Sequence, residues 1–330
     1  MDNLTHSLVG ALIGQAGLKR RTGLAMPALI IGANIPDIDA TCVMLSDMQH
    51  LALRRGLTHG PIAMLVLPPV LAGGLWWFDR WQEKRGKRPA GRLPVRFGWL
   101  WALSLIACLS HPTFDWLNSY GVRLLEPFSS RWFYGDTLFI IDLWLWLVMG
   151  GSVFLSIRRE RQHRSWRWPA ATGLLLTLMY VGWQWMETQG TLISFDINSK
   201  GVWEGEVDRD ALLSIPTGTV IVTPVLLGAN AREIIVGETN NWYVGPVGTV
   251  PSLHSLQPVA AHRCAWPNVE ALRQLRPELD AFLFWSRAPY AERATDGSVL
   301  IRDARFHDPR ARDRFTVALP EVSCAEPPRS

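Results

Sequence analysis

Two carboxylates stand behind a proline in the stretch NIPDID (34–39), where Asp37 and Asp39 are spaced i, i+2. Three histidines and a third aspartate recur in similar apolar settings: His6 in LTHS, His59 in LTHG, and His111 with Asp115 in HPTFD. The last two are four residues apart and share one face of a helix. Pro36 disfavours helical geometry at Ile35, and in an extended PDID segment both aspartates point to the same side. Neutral imidazoles combined with carboxylates suit a divalent transition metal such as zinc, manganese or iron, whereas calcium and magnesium prefer shells of oxygen alone. A metal bound this way lowers the pKa of water from about 16 to about 7 and polarises an acyl or phosphoryl oxygen, which is hydrolytic chemistry. Each residue also has a plainer reading. A lone His6 can be a packed, hydrogen-bonded side chain, the His111–Asp115 pair can bond to itself, and Asp37 can be a helix cap.

The elements that position these residues are apolar. Hydrophobic residues make up 48% of the 330 and charged ones only 19%, and the 17 tryptophans suit a membrane–water boundary. Apolar stretches near 4–18, 24–45, 59–78, 97–118, 137–157 and 168–187 predict a membrane bundle of about six α-helical spans over residues 1–188. Residues 189–330 are more polar and predict a small α+β or β-rich extracytoplasmic domain. In that tail, TVIVTPVLL (219–227) and REIIVGE (232–238) read as strands, and residues 268–285 as a helix interrupted near Pro277. Lysines and arginines crowd three loops, at Lys19–Arg21, between Arg80 and Arg96, and between Arg158 and Arg167. The positive-inside rule puts these loops in the cytoplasm, and the N-terminus and tail outside.

That topology brings His6, Asp37, Asp39, His59, His111 and Asp115 to one face of the membrane. An unpaired aspartate at mid-membrane costs on the order of 3 kcal/mol, so several together call for a compensating cation. Asp136 and Asp142 flank the start of the fifth stretch and are further candidates. Cys264 and Cys324 lie in the tail, where an oxidising compartment permits a disulfide and two free thiols are equally open. No glycine-rich phosphate loop, Gly-x-Ser-x-Gly elbow or CxxC pair occurs, which leaves nucleotide, serine-hydrolase and zinc-ribbon readings without support. No nucleic-acid partner is expected.

Taken in order, LTHSLVGALIG (4–14), NIPDID (34–39), RRGLTHG (54–60), HPTFDWLNSYG (111–121) and YGDTLFIIDLW (134–144) resemble the membrane-bound metal-dependent hydrolases, a family that includes LexA-regulated inner-membrane proteins of bacteria. FLFWSRAPYAE (282–292) and VLIRDARF (299–306) are similar to the tail of one branch. The resemblance implies His6, Asp37, Asp39, His59, His111 and Asp115 as ligands of one or two divalent ions, zinc or manganese, in the cytoplasmic membrane. Two positions depart from the family pattern: Arg54 stands where a histidine is expected and Gly60 where a serine is usual. The expected activity is hydrolysis of a lipidic or lipid-linked ester or phosphoester at the outer face, with membrane lipid as the partner. Asp37 would be ligand or general base, Asp39 a shared carboxylate, and Arg55 the contact for an anionic headgroup. A metal or ion transporter and a non-catalytic scaffold held by a structural metal are the competing expectations.

Overall fold

The computed structural model describes residues 1–44, 50–199, 219–225, 228, 231–238, 240–247 and 256–327. The end of the predicted run TVIVTPVLL, residues 226 and 227, lies outside them. The chain divides into one unit of Met1–Ala40 with Arg55–Trp185 and a second of Thr41–Arg54 with Met186–Ser330.

The first unit is helical. Helix α1 (Asn3–Gln15) starts on Asp2, whose carboxylate accepts the Leu4 and Thr5 amides. Helix α2 (Ala25–Gly32) packs against it at Gly10, where a Cβ would lie 2.5 Å from the Leu29 carbonyl, so only glycine permits this approach. A 3-10 helix, Ile35–Met44, follows α2, and the Asn34 side chain turns back to the Ile30 carbonyl and to Ser7. The short helix α3 (His50–Leu53) belongs to the second unit; in the first, α4 (Pro61–Lys84), with Pro61 at its first turn, packs on α5 (Phe97–Trp116). Helices α6 (Leu143–Arg161) and α7 (Arg167–Ser199) complete the helical part. Two apolar clusters hold the unit together. One gathers Leu12, Leu117, Leu138, Leu145 and Met149, the other Ala28, Leu29, Ala72, Leu100 and Leu103.

The expectation of about six spans is not met. Among the described residues, two helices, α4 and α5, are long and apolar enough to cross a membrane. The first predicted stretch forms a helix of 13 residues. At 1.5 Å per residue that reaches about 20 Å, short of a hydrocarbon layer of about 30 Å. The second breaks into the 8 residues of α2 and the 3-10 helix beyond Asn34. Helix α6 ends in Arg158, Arg159, Glu160 and Arg161, and α7 is interspersed with tryptophan, glutamine and tyrosine. An apolar window in the sequence does not distinguish a spanning helix from short helices packed on their neighbours.

The three basic loops meet at one end of this unit. The Gly23 amide donates to the Pro94 carbonyl, the Arg96 amide to Thr22 Oγ1, and Lys19 pairs with Glu160.

The second unit contains two antiparallel sheets. Strands β1 (Thr219–Pro224), β2 (Arg232–Glu238), β3 (Asn241–Pro246) and β4 (Gln257–Pro258) form one in sequential order. Strands β5 (Pro289–Arg293), β6 (Ser298–Asp303) and β7 (Thr316–Ser323) form the other. Helices α8 (Val269–Leu275) and α9 (Pro277–Trp285) are separated at Arg276, as a proline at the first turn of the second helix requires. Ile221, Ile235, Trp242, Tyr290 and Ala304 make a core shared by both sheets, and Cys264 is joined to Cys324 by a disulfide.

Candidate metal centre

Four side chains converge. Asp37 enters from the 3-10 helix that Pro36 starts, and His59 from the turn just before α4. His111 and Asp115 are one turn apart near the C-terminal end of α5. All four are buried, and one ligand atom from each lies within 4.8 Å of the other three. His59 Nε2 lies 3.1 Å from His111 Nε2, 3.2 Å from Asp115 Oδ2 and 3.9 Å from Asp37 Oδ1. His111 Nε2 lies 3.5 Å from Asp115 Oδ2 and 3.6 Å from Asp37 Oδ1. A tetrahedral shell of nitrogen and oxygen at about 2.0–2.1 Å from a metal has edges of about 3.3 Å, and these separations bracket that length.

Hydrogen bonding fixes what the imidazoles offer. His111 Nδ1 lies 2.6 Å from the Ala33 carbonyl, which can only accept, so that nitrogen carries the proton. Thr58 Oγ1 donates to Asp39 Oδ2 at 2.7 Å and lies 2.9 Å from His59 Nδ1. Its single proton is spent on Asp39, so it accepts from His59 Nδ1. In their neutral forms both histidines therefore present Nε2 lone pairs to each other and to two carboxylate oxygens. Asp115 Oδ2, fully buried, receives no hydrogen bond. Acceptors facing acceptors in a buried site need a cation between them. Burial lowers the pKa of His59, keeping the imidazole in its ligating form. The residues present fit a divalent metal.

Around this centre stands a second set of residues. His6 stacks on His111 with ring centroids 3.8 Å apart and brings its Nε2 to 3.4 Å from Asp115 Oδ1. Burial pushes its pKa down to about 4. Its Nε2 makes no hydrogen bond, so it remains available to a metal. Asp39 stands one step back: Oδ2 accepts the Arg55 amide at 2.7 Å as well as the Thr58 hydroxyl, while Oδ1 is buried without a hydrogen bond. The Met1 amine pairs with Asp115 Oδ1.

Arg55 has φ +51, a strained left-handed conformation for an arginine, held by the Asp39 bond and by the Arg123 amide on its carbonyl. Its guanidinium is buried. It lies 3.0 Å from Asp115 Oδ2, donates to Asn118 Oδ1 and the Gly121 carbonyl, and covers the Tyr120 ring at 4.5 Å.

Asp142, a candidate from the sequence, instead caps α6 and accepts from the Tyr180 hydroxyl. Sequence reading missed Thr58, Asn118 and the Ala33 carbonyl. Thr58 precedes His59 and was visible as part of LTHG, but its task depends on a contact with Asp39 that no local pattern encodes. The departure at Gly60 has a steric cause: a Cβ there would lie 2.0 Å from the Glu126 carbonyl oxygen.

The profile of the YdjM inner membrane protein family matches residues 1–191. The chain belongs to that family. All four converging residues, with His6, Asp39 and Arg55, fall inside the matched part. The chain is also 29% identical over 140 residues to the "Uncharacterized protein YfhP" of Bacillus subtilis (strain 168). That alignment covers 40% of this chain and 39% of that protein, so the chain spans about two fifths of the length of the curated relative it matches. No solved structure matches. Membership of the inner-membrane family agrees with the two apolar helices and with their outward-facing Leu65, Val66, Val70, Trp101 and Ile106.

Proposed function

We propose that this chain is an integral-membrane metal-dependent hydrolase acting on a lipidic or lipid-linked ester or phosphoester at the outer face of the cytoplasmic membrane. One observation carries the reading: the Nε2 atoms of His59 and His111 and one carboxylate oxygen each of Asp37 and Asp115 converge in a buried site, while each imidazole turns its Nδ1 to another partner. A bound divalent ion supplies there a more acidic water and a charge that polarises the scissile bond. Asp37, His59, His111 and Asp115 hold it, with His6 beside them. Asp39 orients His59 through Thr58 and keeps Oδ1 free to take a proton. The buried Arg55 guanidinium offsets the charge of Asp115.

Orientation follows from the α4–α5 hairpin. His59 precedes α4 and Asp115 ends α5, so both lie at the end opposite the basic loop between the two helices. Placing that loop in the cytoplasm puts the centre outside. The Cys264–Cys324 disulfide suits a tail in an oxidising compartment.

A second reading has an observation of its own. Four protein ligands already fill a tetrahedron, the closed arrangement of structural metal sites, whereas catalytic sites keep a position open. Purified protein should therefore be analysed for metal, then screened against phospholipids, lipid-linked phosphates and esters with added zinc or manganese and with a chelator control. Loss of metal and hydrolysis together in Asp115→Asn supports the enzyme. Stoichiometric metal with no hydrolysis across the screen supports the structural metal.

A further inference from the structure

The end of the helical unit opposite the metal centre carries a cluster of positive charge that the hydrolase reading does not use. Arg20, Arg21 and Arg167 line one cavity of about 350 Å³, together with Ala16, Gly17 and Leu18. Two connections far apart in sequence, α1 to α2 and α6 to α7, supply its walls. Gly17, at φ +134, makes the turn that a residue with a side chain would strain, and a Cβ there would lie 3.6 Å from Arg167 Cδ. The buried Trp166 gathers the cations: Lys19 Nζ lies 4.2 Å, Arg20 Cζ 5.3 Å and Arg167 Cζ 5.5 Å from its ring centroid. Arg21 covers Trp99 at 5.0 Å.

Lys19 is neutralised by Glu160. Among the described residues, Arg20, Arg21 and Arg167 have no carboxylate partner. A solvated basic loop that only sets topology has no need to collect three guanidinium groups around one cavity, where like charges repel. The cavity is at the low end of the size of ligand sites. Helix α7, which Arg167 opens, exposes Trp168, Leu175, Leu178 and Met179 in its first half. Phosphate chemistry matches the guanidinium groups, and acyl chains match these exposed side chains.

We propose that Arg20, Arg21 and Arg167 form a binding site for the phosphate headgroup of an anionic membrane lipid, on the face of the protein opposite the metal centre. The chemistry is that of any phosphate, and the exposed apolar side chains of α7 assign it to a lipid.

The test uses full-length protein in neutral detergent. Native mass spectrometry and thermal unfolding are read while phosphatidylglycerol, phosphatidylcholine or inorganic phosphate is titrated. The expected result is a retained phosphatidylglycerol adduct and a raised Tm, with little effect of phosphatidylcholine or phosphate. In Arg20→Gln/Arg21→Gln/Arg167→Gln the phosphatidylglycerol affinity should fall on the order of 100-fold, about five-fold for each charge. Its metal content and its Tm without lipid should stay those of the unmodified protein; the single change Arg167→Gln, with a smaller loss, serves if the triple variant does not fold. Equal binding of phosphatidylglycerol by the triple and single variants and the unmodified protein would overturn the proposal. So would equal stabilisation by phosphatidylcholine, or by inorganic phosphate alone.

Discussion

His59 and His111 face each other through their Nε2 atoms at 3.1 Å, and each has already committed its Nδ1 proton elsewhere, to Thr58 Oγ1 and to the Ala33 carbonyl. With both rings neutral, the two Nε2 atoms are acceptors facing each other, an arrangement that a metal ion bound between them would satisfy. The backbone sets the arrangement: the carbonyl of Ala33 is available because α2 stops at Gly32 and the chain turns before Pro36.

Removal of either imidazole should therefore empty the centre. In His111→Ala and in His59→Ala, metal content measured on purified protein should drop by more than about 100-fold in affinity, beyond the 10–100-fold of an outer-shell change. A chelator applied to the unmodified protein should lower its Tm, because an ion held only by the folded state stabilises it by mass action. Unchanged metal content in both variants would remove the centre from these residues.

Asp39 tests the second layer. Asp39→Asn keeps the shape but loses the charge that holds the Arg55 amide and the Thr58 hydroxyl. Metal affinity should fall about 10–100-fold, and Thr58→Val, which removes only the hydroxyl link to His59, should fall in the same direction. Equal affinity in Thr58→Val and the unmodified protein would show that Asp39 does not act through His59.

What the sequence makes legible here is chemical type and local breaks. Pro36 after an apolar run announces that the second stretch cannot continue as one helix, and His111 four residues before Asp115 announces a shared face. The number of spans is not legible, because hydropathy reports how apolar a segment is and not whether it is 13 residues of packed helix or a full crossing. The direction of the Arg55 guanidinium is not legible either. It follows from a left-handed backbone and from Asn118, Gly121 and Tyr120, which lie more than sixty residues along the chain.

Gly60 isolates a purely steric demand. A serine there would bring a Cβ against the Glu126 carbonyl oxygen, so Gly60→Ser should destabilise by about 1–3 kcal/mol, the usual cost of overpacking. Gly60→Ala should cost as much, since the clash belongs to the Cβ and not to the hydroxyl. Thermal unfolding of the two variants checks this, and a stable Gly60→Ala would place the Glu126 segment elsewhere.

Orientation gives the last prediction. Lys87 lies exposed in the basic loop between α4 and α5, and Ser130 lies exposed in the segment that follows α5, at the end of the hairpin that holds the metal centre. If positive charge keeps the loop in the cytoplasm, Lys87→Cys should react with a membrane-impermeant thiol reagent only after cells are opened, and Ser130→Cys should react in intact cells. Cys108, a free thiol, is buried and should contribute little background, and Cys42 is changed to serine in both labelled variants so that it contributes none. The Cys264–Cys324 disulfide supplies an independent check, since a tail exported to an oxidising compartment should resist alkylation until it is reduced. Labelling of Lys87→Cys in intact cells would turn the hairpin over and put the centre in the cytoplasm, where a substrate in the outer leaflet is beyond its reach.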